Sequence, residues 1–260
     1  MTEKEILYDI KDNVATITIN RPKVLNAFTG DNGKEIEDLL DKAAGDRNVG
    51  VIVLTGTGER AFCVGGDMNW EKGTGGKSGL QDLDFKLDRK IVECHKPVIA
   101  RVNGYAIGGG HHIAYFCDLT IAAEHAIFGQ NGPRVGSPAG GYIVAHAANV
   151  LGHKRARELW MLCRRYTAKQ AMEWGLVNSV VPKEKLDEEV RKFCDELLAA
   201  SPTCLKFLKR SFYLHMEHTM GWDMNAMIKD VAPDFFSTGE QQEGASAFLE
   251  KRKPDFGPWR

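Results

Sequence analysis

The patterning of this chain predicts an α/β fold. Three observations predict it. Short apolar runs at residues 51–55 and 98–102 read as buried strands and alternate with segments of helical period through about residue 150. A glycine-rich turn follows each of those runs. After Pro182 the apolar spacing is helical throughout.

The elements follow in order. Residues 6–10 and 14–19 alternate apolar and polar side chains around a turn at Lys11-Asp12-Asn13, which predicts two paired strands. Residues 20–27 form a loop held by Pro22. Residues 31–44 are helical, with Ile36, Leu39 and Leu40 on one face. Residues 51–55 are a strand leading into Arg60-Ala61-Phe62-Cys63-Val64-Gly65-Gly66-Asp67. Glycines 73, 75, 76 and 79 mark the stretch from Met68 to Gly79 as a mobile loop, either a lid over a neighbouring pocket or a surface insertion. Residues 98–102 are a strand, Asn103-Gly104 a turn, and residues 111–116 a helix behind the run Gly108-Gly109-Gly110. Beyond Pro182, Leu186, Val190, Phe193, Leu197 and Leu198 line one helix. Ser201-Pro202 starts the next, through Leu205, Phe207, Leu208 and Phe212, and two more lie near 223–236 and 240–251. The expected division is a core over residues 1–200 and a C-terminal helical region over 201–260. There is no internal repeat.

Composition narrows the class of partner. The 34 basic and 35 acidic residues leave a net charge of −1, so bulk electrostatics recruit neither nucleic acid nor a membrane surface. No apolar run reaches membrane-spanning length, and the opening MTEKEILYDI is too charged for a signal peptide. The six cysteines form no C-x-x-C pair and read as reduced, buried small hydrophobes, which points to a cytoplasmic protein. No metal-ligand spacing occurs.

The two glycine turns carry the chemistry. A glycine run between a strand and a helix lets backbone approach a ligand, and a helix start offers unpaired N–H groups and a partial positive charge. Such a place holds a phosphate or a developing oxyanion, or is simply a tight packing turn. Two such turns could each give one N–H to a single oxygen.

The stretches "AFCVGGD" and "GYAIGGGHH…CDLTIAAEHAIFGQ", in this order and spacing, resemble the crotonase (enoyl-CoA hydratase/isomerase) superfamily. The resemblance runs from "NRPKVLNAF" to "EGASAFLEKRKPDF". "FGQNGPRVGS" and "GHKRARELWMLCRRYTAKQAMEWGLVNSVVP" are similar to its dihydroxynaphthoyl-CoA synthase branch and that branch's ring-opening relatives. The resemblance implies a crotonase spiral of ββα repeats with a C-terminal helical trimerisation region, hence a homotrimer or hexamer. It implies an acyl-CoA thioester as substrate, with coenzyme A entering only as part of it. Gly66 and Gly109 become the oxyanion-hole donors, and Lys23, Val24, Leu25 and Ala61 the coenzyme A contacts.

The departures from the family are informative. A hydratase of this family places two carboxylates across the double bond, one after the GGG run and one after "FGQ". Here those places hold His112 and Gly132. A glycine at the second place matches the bicarbonate-dependent synthases, and the resemblance implies a bicarbonate site near Gly132. Ser137 matches the synthase serine. The synthase aspartate position is Ala139, and the position of the C-terminal tyrosine that a neighbouring subunit supplies in the synthases is Phe236. His112 takes the place of a catalytic glutamate and titrates near neutrality in water. Adjacent on a helix, His111 and His112 diverge by about 100° and do not both face one pocket. His111 is therefore read as a packing histidine, and His112 as the catalytic candidate with Ser137 and Tyr142; a lone histidine is otherwise a satisfied core residue. Trp70, Tyr105, Tyr142 and Phe236, beside Gly132, describe a partly aromatic pocket suited to a ring, or equally core side chains. The expected reaction is retro-Claisen hydrolysis of a cyclic β-oxoacyl-CoA. Hydration of a cyclic enoyl- or dienoyl-CoA, ring closure by a synthase, and non-catalytic CoA-ester binding are the alternatives.

Overall fold

The computed structural model describes residues 4–73, 86–220 and 224–259. Among the described residues ten strands divide between two sheets. The larger contains β1 (Ile6–Lys11), β2 (Val14–Ile19), β3 (Val51–Gly56), β5 (Val98–Val102), β7 (Leu119–Ala123) and β10 (Ser179–Val181), side by side in that order. The smaller contains β4 (Ala61–Cys63), β6 (Tyr105–Ile107), β8 (Ile127–Gly129) and β9 (Arg165–Thr167). Among the described residues only the β1–β2 and β8–β9 pairs are antiparallel. From β3 to β8 the strands alternate between sheets, and β9 and β10 then add one more to each, so the chain winds as a spiral.

Helices close the turns: α1 (Gly30–Gly45), α2 (Met68–Gly73), α3 (Lys86–Glu93), α4 (Gly109–Phe116), α5 (Tyr142–Leu151), α6 (His153–Leu162) and α7 (Ala168–Glu173). Four more follow: α8 (Leu186–Leu198), α9 (Pro202–Met220), α10 (Met224–Val231) and α11 (Glu240–Leu249). Thr29 caps α1 through a reciprocal pair with Asn32, its Oγ1 accepting the Asn32 N–H at 3.3 Å and its own N–H donating to Asn32 Oδ1 at 3.0 Å.

Strand period two sorts the core. In β3, Val51 and Val53 face Leu186, Val190 and Cys194 of α8, whereas Ile52 and Leu54 face the main core with Phe62, Ile91, Phe116 and Phe128. The larger sheet is thus covered on both faces, which explains its near-continuous apolar strands. Tyr213 and Met216 of α9 belong to the main core. Lys209, 7% exposed, anchors the same helix. Its Nζ reaches Asp118 Oδ2 at 2.7 Å and the carbonyls of Lys96 and Ile91 at 3.0 and 3.2 Å. Five of the six cysteines are buried and all are unpaired.

One local reading changes. Residues 68–73, expected as part of a mobile loop, form helix α2. Asp67 starts it, taking the Asn69 N–H on Oδ1 at 3.0 Å and the Glu71 N–H on its carbonyl at 2.9 Å. The glycine count masked this cap. The remainder of the expected loop, 74–79, lies outside the described residues.

Candidate active site

Both glycine turns sit where a strand of the smaller sheet hands over to a helix. After β4 the chain turns at Gly65-Gly66 and is held by Phe28, whose N–H donates to the Gly65 carbonyl at 2.9 Å and whose carbonyl accepts from Asp67 N–H at 2.9 Å. Arg21 pairs with Asp67 at 3.0 Å, and its Nη1 donates to the Ala27 carbonyl at 2.6 Å, tying the 20–27 loop to this turn. After β6 the chain turns at Gly108 (φ 55°), a left-handed conformation natural to glycine, which places Gly109 as the first residue of α4. Gly110 packs against Cys63, and a Cβ there would strike the Cys63 carbonyl. A Cβ on Gly65 would lie 3.0 Å from the Gly109 nitrogen, so the two turns run backbone against backbone. They border one cavity, to which Gly66, Gly109, His112, Gly132, Ser137 and Ala139 all contribute.

His112 reaches that cavity from α4 while 8% exposed. Its ring lies beside Trp160, centroids 5.2 Å apart. Its Nε2 is 3.2 Å from Gln130 Oε1, and Gln130 Nε2 is 3.3 Å from His111 Nδ1. In this arrangement Nε2 carries the ring hydrogen and donates to the amide oxygen. Turning the amide over makes Nε2 the acceptor and moves the hydrogen to Nδ1. Nδ1 faces Asp88 Oδ2 at 3.8 Å. Asp88, on α3, is 1% exposed, and neither of its oxygens has a hydrogen-bond partner among the described residues. Burial pushes the Asp88 carboxyl well above the usual carboxylate range. Burial holds His112 down at about 4, and His111 at about 3, with His112 beside it adding to the effect. Asp88, His112, Gln130 and His111 therefore form one buried array in which both imidazoles are neutral at neutral pH.

His111 points away from the cavity. It packs edge-on against Tyr115 and Phe128, centroids 5.3 and 5.6 Å away. Tyr142 is likewise outside the cavity. It packs edge-on against Phe116, because its place at the first turn of α5 turns it into the main core. Phe236 packs with Ile228 and Phe235, and Trp70 is half-buried on α2; neither lines the cavity. Tyr105 is 43% exposed and borders a separate surface depression with Arg60 and His125. The aromatic residue that does line the cavity is Trp160, which its helical context hid.

Gly132 has little space above it: a Cβ there would lie 2.8 Å from the Ser137 carbonyl oxygen. The backbone after "GQ" thus excludes a side chain at the second carboxylate place. One carboxyl group does line the cavity, and it comes from elsewhere. Glu71 of α2 lies over Gly66, where a Cβ would collide with its carboxylate. Reading residues 68–79 as a loop concealed it.

The remaining expected contacts cluster. Lys23 and Val24 are exposed, and Leu25 and Asn26 both adopt left-handed backbone (φ 55° and 57°). The Asn26 amide donates to the carbonyls of Thr57 at 3.0 Å and Ala61 at 2.8 Å, so the loop that carries residues 23–25 sits against Ala61. No group of three or more metal-ligating side chains occurs among the described residues, nor does any helix long and apolar enough to cross a membrane.

A spiral of ββ units with two glycine turns facing one cavity defines an acyl-CoA enzyme fold, and comparison with known proteins agrees. The sequence profile of the enoyl-CoA hydratase/isomerase family matches residues 9–258, and the chain belongs to that family. It is similar to the carnitinyl-CoA hydratase from Mycobacterium avium, with 30% identity over 99% of this chain and 100% of the other, at a TM-score of 0.81. It is also similar to a methylmalonyl-CoA decarboxylase in complex with 2-nitronate-propionyl-CoA, with 26% identity over 97% and 98% of the two chains and a TM-score of 0.87. An enoyl-CoA hydratase from Mycobacterium avium subsp. paratuberculosis K-10 shares 28% identity over 97% and 98%, at 0.81. The chain has the crotonase fold, and the thioester chemistry of the family applies to it.

Proposed function

We propose that the protein opens a cyclic β-oxoacyl-CoA by hydrolytic C–C cleavage. The observation that carries this reading is a single neutral imidazole, His112, in a cavity that also holds Gly66 and Gly109, where a hydratase of this family would bring two carboxylates. The thioester oxygen accepts from the Gly66 and Gly109 N–H groups. With the Gln130 amide turned over and the ring hydrogen on Nδ1 towards Asp88, His112 Nε2 takes a proton from water as that water adds to the ring ketone, and Asp88 stands behind Nδ1 of the resulting imidazolium. The bond between ketone carbon and Cα breaks, its electron pair forms the thioester enolate, and the two N–H groups hold the oxyanion. Ser137, with its backbone folded over Gly132, shapes the acyl end of the cavity. The coenzyme A moiety lies along residues 23–25 and Ala61. No step requires bicarbonate.

The test is incubation of purified protein with 2-oxocyclohexanecarbonyl-CoA in water enriched in oxygen-18. The expected product is the ring-opened monothioester with one labelled carboxyl oxygen. Recovery of unopened thioester under conditions where a cyclic enoyl-CoA is hydrated would overturn the reading in favour of a hydratase. That second reading draws support from the similar structures described as hydratases.

A further inference from the structure

We infer that Glu71 is the second acid–base residue of this site, delivering the proton that the enolate carbon needs after the bond is broken. The inference deepens the ring-cleavage reading and rests on it for the identity of the enolate.

The cleavage leaves a requirement that His112 does not meet. When water adds and the C–C bond breaks, His112 holds the proton taken from water and the electron pair resides on the thioester enolate. Completion needs a proton placed on Cα, from a donor on the oxyanion-hole side of the cavity. Gly132 cannot supply it, since the Ser137 carbonyl blocks any side chain there. Ala139, in the position of the synthase aspartate, has no proton to give. Glu71 has one, and it lies on the right wall. Its carboxyl packs over Gly66, the residue whose N–H holds the thioester oxygen, and Cα is two bonds from that oxygen. Its helix is held in place at its start by Asp67 and packs against α11. Burial first, and then the neighbouring Asp67, push the Glu71 carboxyl up to about 7, so near neutral pH much of it carries a proton. A protonated acid beside an enolate also avoids the repulsion that a carboxylate would bring.

The step balances. The Glu71 O–H bond breaks and a C–H bond forms at Cα. Glu71 becomes a carboxylate while the enolate returns to a thioester. The proton on His112 then returns the site to its starting state through solvent, Glu71 regaining one in exchange. The net reaction consumes one water and leaves one carboxylic acid, which ionises in solution.

Reversal of that one step gives a direct assay. Pimeloyl-CoA, the ring-opened product of the probe substrate, should exchange an α-hydrogen for deuterium when incubated with the enzyme in heavy water. Exchange needs Glu71 and the oxyanion hole but neither ring cleavage nor His112. Glu71→Gln, which keeps shape at a half-buried site, should lose exchange on the order of 100-fold. It should hold the thioester with a dissociation constant within a few-fold of the wild type. Glu71→Asp should recover part of the exchange, and His112→Gln should retain exchange while losing cleavage. Undiminished exchange in Glu71→Gln, or no exchange in the wild type, overturns the assignment. A wild type that exchanges the α-hydrogen through Glu71 but cleaves no cyclic β-oxoacyl-CoA keeps Glu71 and discards the cleavage reading, so the two failures are separable.

Discussion

Asp88 Oδ2 lies 3.8 Å from Nδ1 of His112, a carboxyl on α3 set behind an imidazole on α4, with no hydrogen-bond partner for either Asp88 oxygen among the described residues. A buried acid without donors is costly unless something uses it. In the proposed reaction it would face the imidazolium that forms on His112. The gap exceeds hydrogen-bond length by a few tenths of an ångström, as catalytic contacts often do before substrate closes the site.

The proposed reaction makes Asp88 a positioning residue. Asp88→Asn should lower kcat on the order of 100-fold while leaving KM within a few-fold, because the group never touches the thioester. A variant that loses KM and kcat together, or keeps both, would show that the pair is only packing.

The oxyanion hole makes a sharper demand on the backbone. Gly109 is the first residue of α4, so its N–H has no partner within the helix. Gly109→Pro removes that donor at a position where proline suits the helix, and kcat should fall about 100-fold or more. Phe28 stands 3.0 Å from where a Cβ would be and must shift slightly, so a melting curve should accompany the assay. A folded variant with normal turnover would remove Gly109 from the mechanism.

The strands, the two glycine turns and the place of His112 were legible in the sequence because each rests on local pattern. Period two, glycine after a strand, and a motif in fixed order survive without knowledge of the fold. Glu71 and Asp88 were not legible, for different physical reasons. Glu71 stands in a glycine-rich stretch where the Asp67 cap, a single side-chain contact, decides between loop and helix. Asp88 shares the buried face of α3 with Leu87 and Ile91. An acid on an apolar stripe is a signal, but it names no partner until α4 is laid beside it. Tyr142 packs in the core rather than at the cavity, since aromatic content alone cannot tell pocket from core.

The exposed apolar side chains of α9 carry the expectation of an assembly. Phe207 is 68% and Phe212 69% exposed on a helix whose opposite face is anchored by Tyr213 and Met216. Light scattering should give a mass three or six times that of the chain, and Phe207→Asp with Phe212→Asp should lower it. A stable wild-type monomer at micromolar concentration would contradict the prediction.

Lys209 should be structurally costly to remove. Its ammonium is buried against two carbonyls and Asp118, whose Oδ2 also accepts the Val98 N–H at 2.7 Å. Lys209→Ala leaves those acceptors without their cation and should destabilise the fold by about 2–3 kcal/mol. Asp118→Asn keeps an acceptor for Val98 and should cost less. Chemical denaturation of the two variants compares them directly; equal small losses would mean that α9 is held by its apolar contacts alone.

The two histidines should separate in both rate and acid response. Each is buried and neutral, with its affinity for a proton held below the ordinary imidazole value, to about 4 for His112 and about 3 for His111. Below the ordinary value of about 6.5 the unfolded chain therefore binds more protons than the folded one. Each histidine's contribution to stability is present above that pH. It is lost as pH falls from there towards the folded value. Asp88, whose proton affinity is raised, works in the opposite direction, so the comparison must be made against the wild type at each pH. The melting-temperature gap between wild type and His111→Gln should be widest near pH 7 and narrow towards pH 4.5. His112→Gln should show the same narrowing. In rate the two diverge: His112→Gln should abolish cleavage at every pH, because water loses its base. His111→Gln should keep turnover within about tenfold, since its ring meets Gln130, Tyr115 and Phe128 but not the cavity. If His111→Gln is the inactive variant, the proton path runs through Gln130 to the deeper histidine, and the roles given to the two rings must be exchanged.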